Sequence, residues 1–451
     1  MTFKTTNPYT GKHLADYPAY TDAQIDNLLT RAAAQFADWS MRSFTYRADC
    51  FRRLAVVLRQ RHDELALLMT HEMGKILAES RAEIEKCAAQ CDYYATHAEA
   101  MLHPEAIDTE AQLSGISYEP MGVVLAIMPW NFPFWQVFRY AVPALMAGNV
   151  TLLKPAPNTL GCGLAIENAF REAGFPEGVF ACLLVDVPAL TPIIADDRIN
   201  MITLTGSERA GASVAALAGA NIKKCVLELG GTDPLLVLAD ANLDAAAKAA
   251  VTSRMSNAGQ VCIAAKRWLV EAAVADEFTH RVADLIRAIR QGNPLDPAIQ
   301  MGPIARPDLA DTLRRQLTTA QAQGAQLLVS GSGEGTLFAP TLLGNVRPDN
   351  IAFREETFGP LAAITTVRDA EEAIQVANKS RYGLSAAVWT TNLDRAAQLA
   401  RQLQVGSVFV NTVVRSDSRL PIGGVKKSGY GRELGPTGIR EFCATKTLFV
   451  A

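Results

Sequence analysis

Apolar residues recur with a helical period through the first hundred positions. Ile25, Leu28, Leu29, Ala32, Ala33 and Phe36 share one face behind Thr21-Asp22-Ala23-Gln24, which has the form of a capping box. Phe51, Leu54, Val57, Leu58, Leu65 and Leu68 predict helix over 47–73, and a third helix over 78–101 stops at His103-Pro104. From residue 107 the texture changes. Weak alternation over 109–118 predicts a hairpin that leaves the body of its domain. Short apolar runs at 122–128, 150–153, 179–184, 201–205 and 226–229 predict buried strands, with helices at 158–173 and 208–217. After Gly231 the alternation restarts. It gives strands at 235–238, 268–270, 327–329, 362–366, 386–390 and 407–410, and helices at 243–255 and 278–290. This order predicts an α/β fold with two parallel-sheet regions, hinged at Gly230-Gly231. Residues 330–335 are expected as a flexible loop.

Length and composition narrow the class. At 451 residues the chain is long enough for two or three domains with a cleft between them. Lys plus Arg total 43 against 46 for Asp plus Glu, a net charge of −3, which argues against nucleic-acid binding. No window approaches 18 uninterrupted apolar residues, and the first residues lack the apolar stretch of a secretory signal, so no membrane association is expected. Eight scattered cysteines fit reduced thiols and a cytoplasmic location. Cys87 and Cys91 share a helix face but have no matching Cys/His pair, so no metal site is expected.

Several strings carry candidate chemistry. Gly259-Gln260-Val261-Cys262 offers a thiol nucleophile, provided that local dipoles lower its pKa; a buried packing cysteine reads the same way alone. In Val226-Leu227-Glu228-Leu229-Gly230-Gly231, one carboxylate sits inside an apolar run, where burial raises its pKa toward that of a general base. Asn131, between Pro129 and Pro133, could donate to an oxyanion or satisfy its own turn. Thr205-Gly206-Ser207 runs from a strand into a helix N-terminus, a geometry that suits a phosphate, although it is not the G-x-G-x-x-G fingerprint. Lys154 closes a buried strand, where ligands of open parallel sheets collect. Glu356-Thr357-Phe358-Gly359-Pro360 and Gly423-Gly424-Val425-Lys426 are glycine-rich loops.

Together and in this order, these strings resemble the aldehyde dehydrogenase superfamily over essentially the whole chain, including the 34-residue separation of Glu228 and Cys262. The resemblance implies a nucleotide-binding domain over 1–230 with an oligomerisation hairpin near 107–120. It further implies a catalytic domain over 231–430 and a return through 431–451 that ends in an oligomerisation strand. Cys262 then resembles the nucleophile, Asn131 with the Cys262 N–H the oxyanion hole, and Glu228 the base that activates water. Trp130, Lys154, Pro157, Gly206, Ser207, Gly211, Leu229, Glu356 and Phe358 resemble the positions around a bound NADP or NAD. Many NAD-preferring members carry a glutamate where this chain has Pro157, so NADP is expected to be accepted, alongside NAD.

Within the superfamily the chain is most similar to bacterial NAD(P)-dependent succinate-semialdehyde dehydrogenases. That group places an arginine for the substrate carboxylate at the position of Arg139 and a second donor at that of Ser416. A further arginine of the group is replaced here by Ser256, for which Arg415 or Arg419 could compensate, and Ala264 replaces the second cysteine of a redox switch. The implied partners are a small aldehyde and further copies of the chain, as homodimer or homotetramer. A broader-specificity aldehyde dehydrogenase and a CoA-acylating enzyme remain alternatives. A non-catalytic binding protein does not fit the intact Cys262, Glu228 and Asn131.

Overall fold

The computed structural model describes residues 1–331 and 333–451; the expected loop over 330–335 includes Ser332, which lies outside the described residues. The chain opens with an antiparallel hairpin, Thr2–Thr6 against His13–Pro18, that the hydrophobic pattern does not reveal. The helix Asp22–Met41 starts at Thr21 with both hydrogen bonds of a capping box in place. The helix expected over 47–73 forms as two, Phe44–Gln60 and His62–Met73, which part at Arg61. The break turns the second helix so that Leu65, Met69 and Met73 are buried, and Gly74 ends it with φ +82°. Helix Leu77–Met101 follows.

Two sheets organise the rest. The first runs Gly429–Tyr430, Lys224–Glu228, Ile199–Thr205, Val123–Ile127, Val150–Lys154, Phe180–Cys182, parallel except at Gly429–Tyr430. The second runs Gln326–Val329, Thr341–Gly344, Leu361–Val367, Arg267–Glu271, Pro234–Val237, Ser385–Trp389, Ser407–Val410, parallel except at Gln326–Val329. The chain passes from one sheet to the other between Glu228 and Pro234, through Gly230-Gly231. A third sheet pairs Leu113–Pro120 with Cys443–Val450 on one side and Glu105–Ala106 on the other.

Register places the chemistry along one edge. Ile127 pairs with Lys154 and Leu204, and Thr205 with Glu228, so the segments that carry Asn131, Lys154, Gly206 and Glu228 all leave the C-terminal ends of parallel strands. Between Val123–Ile127 and Val150–Lys154 lies the helix Trp135–Met146, every residue of which is buried. Its two polar residues, Gln136 and Arg139, are buried with the rest, and the hydrophobic pattern does not single this helix out. Its first turn is held by Glu83, whose Oε1 accepts from the backbone N–H groups of Phe134 and Trp135 at 3.0 and 2.9 Å. Lys75 pairs with the other oxygen of Glu83 in the interior.

Candidate active site

Cys262 sits just beyond a short left-handed passage. Asn257 (φ +50°), Ala258 (φ +52°) and Gly259 (φ +71°) turn the chain sharply after the helix Leu243–Met255. A Cβ on Gly259 would overlap the carbonyl of Gly359, so only glycine fits there. The two non-glycine residues are stabilised by their neighbours. Asn257 Nδ2 donates to the carbonyl of Asn131 at 2.8 Å, and its N–H donates to Glu79 at 2.9 Å. Gln260 accepts from the Ala305 N–H at 2.9 Å and donates to the Asn257 carbonyl at 3.0 Å. Strain held this firmly is typical of a site that must present one group accurately.

Asn131 is buried and gives one amide hydrogen to the carbonyl of Gln260 at 2.9 Å. An amide carries two donors, so the second is available to an oxyanion beside Cys262. Among the described residues the Cys262 backbone N–H has no acceptor. The thiol is pushed up to about 11, first by burial; Arg139 and Lys266 pull it down, and Glu228 pushes it up. Lys266 also fixes the loop by donating to the carbonyls of Val261 and Cys262 at 3.0 and 2.6 Å.

Glu228 is buried, and among the described residues its Oε1 has no hydrogen-bond partner. Its Oε2 lies 3.8 Å from Arg139 Nη2. Burial holds its carboxyl well above the usual carboxylate range, Arg139 opposes that shift, and Glu433 adds to it. The guanidinium of Arg139 is buried; its Nε donates to Glu433, and its Nη2 to Thr205 Oγ1 at 3.2 Å. Arg139 thus lines the cavity beside Cys262 as expected, and its Nε and Nη2 face two carboxylates of this chain.

Two cavities meet at Cys262. One, of about 350 Å³, is lined by Trp130, Asn131, Gly206, Ser207, Leu229, Glu356 and Phe358. Trp130 and Phe358 meet edge to face across it, with centroids 5.7 Å apart. Glu356 accepts from the Gly231 N–H at 3.2 Å and lies 3.4 Å from Lys266. A Cβ on Gly230 would overlap Glu356 Oε2, so the expected hinge glycine serves close approach. Gly211 likewise leaves room for Leu229, since a Cβ there would lie 2.5 Å from Leu229 Cδ2. Ser207 caps the helix Glu208–Ala220, which points its N-terminus toward the cavity. Lys154 is buried further along the same strand edge and donates to the Pro155 carbonyl at 3.1 Å; burial lowers its pKa. Pro157 is exposed, and both side-chain polar atoms of the adjacent Asn158 are buried without partners. Orphaned amide atoms beside a strand-end lysine suit a polar cofactor end such as a ribose.

The second cavity, of about 190 Å³, is lined by Lys86, Phe132, Trp135, Arg139, Ser256, Val414, Arg415 and Ser416, among others. It shares only Cys262 and Gln136 with the first. Arg419 is exposed and paired with Asp417 at its own loop, away from both linings. Sequence reasoning misses Lys86, Glu433, Lys266 and Asn257. Only Lys266 and Asn257 carried a signal, as polar residues flanking the candidate nucleophile in an apolar setting.

The Aldehyde dehydrogenase family model matches residues 1–448. The chain is 49% identical over 446 residues to "Succinate semialdehyde dehydrogenase [NAD(P)+] Sad" of Escherichia coli (strain K12), covering 98% of this chain and 96% of that protein. It is 47% identical over 454 residues to "Probable succinate-semialdehyde dehydrogenase [NADP(+)]" of Synechocystis sp. (strain ATCC 27184 / PCC 6803 / Kazusa), with both chains fully covered. Among solved structures, the succinic semialdehyde dehydrogenase from Streptococcus pyogenes in complex with NADP+ superposes with a TM-score of 0.97 at 34% identity, covering 99% of each chain. By sequence over its whole length, and by the fold that carries these residues, the chain belongs to the aldehyde dehydrogenase family.

Proposed function

We propose that this enzyme oxidises succinate semialdehyde to succinate with NADP or NAD as hydride acceptor. The observation that carries the reading is Cys262 at the junction of two cavities: one has the aromatic and acidic lining that a nicotinamide ribose needs, the other is small and cationic. A volume of about 190 Å³ is well below that of a drug-sized pocket and suits a short aldehyde. The names of the relatives from Escherichia coli and Synechocystis support the same substrate and cofactors.

The residues divide the work as follows. The Cys262 thiolate attacks the aldehyde carbon, and the oxyanion receives hydrogen bonds from Asn131 Nδ2 and the Cys262 N–H. The nicotinamide ring, when bound, supplies the hydride acceptor and a positive charge near the thiol. Trp130, Phe358 and Leu229 would orient it, Glu356 would hold its ribose, Gly206, Ser207 and Gly211 would leave room for the pyrophosphate, and Lys154 with Pro157 would face the adenosine ribose. The substrate carbon remains on Cys262 as a thioester. Glu228 then takes a proton from water, the hydroxide attacks the thioester, and the Cys262 sulfur leaves as the acid forms. Its unpartnered Oε1 and raised pKa suit that role, and they favour water over CoA as the acyl acceptor. Arg139 is a positioning residue that balances Glu228 against Glu433, and Ser416 donates to the substrate carboxylate.

The third sheet carries exposed Leu113, Leu448 and Phe449, which a second copy of the chain would cover, in a homodimer or homotetramer. No described helix is long and apolar enough to cross a membrane. Free cysteines throughout fit a cytoplasmic setting. A panel of three- to six-carbon semialdehydes and plain aldehydes with each cofactor tests the function. Preference for succinate semialdehyde without added CoA is the expected result, and equal turnover of butyraldehyde would overturn it.

A further inference from the structure

Lys86 lies in the middle of the helix Leu77–Met101, in a charged run that reads from sequence as solvated surface. The fold instead turns it onto the wall of the cavity beside Cys262. Its Nζ sits 3.9 Å from the centroid of the Trp135 ring and donates to Ser416 Oγ at 2.6 Å. An ammonium has only donors, so Ser416 must be the acceptor, and its own hydroxyl hydrogen stays free to donate. Among the described residues no carboxylate pairs with Lys86. Its nearest acidic neighbours are committed elsewhere: Glu83 to Lys75 and Asp417 to Arg419. Arg139, the buried cation of the cavity, faces both Glu228 and Glu433. Lys86 is therefore a half-buried cation on this wall that no carboxylate pairs among the described residues, whereas Arg415, on the same lining, is exposed.

We propose that Lys86, with the hydroxyl of Ser416, is the receptor for the distal carboxylate of the substrate, and sets the preference for an ω-carboxy aldehyde over a plain one. The proposal rests on the semialdehyde reading above and names the group that recognises the carboxylate. Lys86 and Ser256 line the same cavity.

The site has its own pH dependence. The Lys86 ammonium is lowered to about 8, first by burial; Cys87, Glu83 and Asp417 oppose that fall and Arg139 adds to it. Facing it are Glu79, Glu83 and Cys87 on its own helix, Arg139 on Trp135–Met146, and Arg415 and Asp417 on the loop beside Ser416. The charged form binds the carboxylate. As pH rises through about 8 the free enzyme loses that charge, and KM for succinate semialdehyde should climb.

The test compares succinate semialdehyde with butyraldehyde in the wild type, Lys86→Met and Lys86→Arg, across pH 7 to 10. Lys86→Met should lower the ratio of the two kcat/KM values by about tenfold or more, mostly through KM. Lys86→Arg keeps its charge throughout and should retain the preference while abolishing the rise in KM above pH 8. A ratio unchanged in Lys86→Met, or a rise in KM that persists in Lys86→Arg, would overturn the proposal. If Lys86→Met does not fold, as judged by loss of cofactor binding, the pH profiles of the wild type and Lys86→Arg decide it. A wild type with no preference for the semialdehyde sinks the substrate reading itself. A preference that survives Lys86→Met sinks only the assignment of Lys86.

Discussion

Arg139 joins two carboxylates from distant parts of the chain: its Nε donates to Glu433, and its Nη2 lies 3.8 Å from Glu228 Oε2. The pairing ties the base of the site to the segment that returns to the first sheet after Gly429–Tyr430. Arg139 is the largest influence opposing the upward shift of Glu228, and burial supplies that shift. Removing Arg139 would leave two buried carboxylates uncompensated, a change that typically costs about 3–5 kcal/mol when one partner of a buried pair is lost.

Arg139→Ala should therefore slow both aldehydes alike. With Arg139 gone, Glu228 binds its proton more tightly, so the deprotonated base appears only at higher pH. The rising limb of the kcat–pH profile should move to higher pH, and steady turnover at neutral pH should fall by about tenfold or more, a factor of ten per ~1.4 kcal/mol. A loss confined to succinate semialdehyde, with the kcat profile unmoved, would show that Arg139 contacts the substrate carboxylate directly.

Cys262→Ala should abolish dehydrogenase and any esterase activity while cofactor binding survives. Glu228→Gln should retain a fast burst of reduced cofactor and lose steady turnover, because thioester formation precedes the water step. Asn131→Ala should cost roughly 10²–10³ in rate, as removal of one oxyanion donor does. Rapid-mixing absorbance traces separate the three, and loss of the burst in Glu228→Gln would give Glu228 a role in activating the thiol.

Much of this site is legible in the sequence because its pieces are local. Glu228, Asn131 and Gly206 each end or follow a strand, Cys262 follows a helix and a tight turn, and each brings its own glycines or prolines. What is not legible depends on contacts between distant segments. Arg139 is visible as a lone charge in an apolar stretch, Val137-Phe138-Arg139-Tyr140, which signals a buried cation but not its partner. Glu433 lies 294 residues away. Lys86 gives no signal, because Glu83-Ile84-Glu85-Lys86 has the pattern of a solvated helix face and Ser416 is 330 residues distant. The fold shows the same division. Alternating strands and helices are readable, whereas the burial of Gln136 and Arg139 on the helix Trp135–Met146 depends on what packs around it.

Pro157→Glu should weaken NADP relative to NAD. Pro157 follows Lys154 on the edge where Asn158 has unpartnered amide atoms, and a carboxylate there would repel a 2′-phosphate. The ratio of kcat/KM for the two cofactors measures it, and an unchanged ratio would place the ribose elsewhere.

Two glycines of the site should respond differently to alanine. At Gly230 the added Cβ meets the end of the Glu356 side chain, which can swing away. Gly230→Ala should therefore fold and lose cofactor affinity, seen as a raised KM for NADP, since Glu356 gives up the Gly231 N–H that holds it at 3.2 Å. At Gly259 the added Cβ meets the backbone of Gly359 and Pro360, which cannot yield without moving the loop that carries Glu356. The backbone there is also left-handed, with φ +71°, which alanine tolerates poorly. Gly259→Ala should lower the thermal midpoint and misplace Cys262, so that the burst disappears with turnover. Titration of Cys262 with an alkylating agent would distinguish the two, since Gly230→Ala should keep the wild-type rate. Equal loss of stability in both variants would mean that Glu356 is as rigid as backbone, and that its position is set by the fold before any cofactor binds.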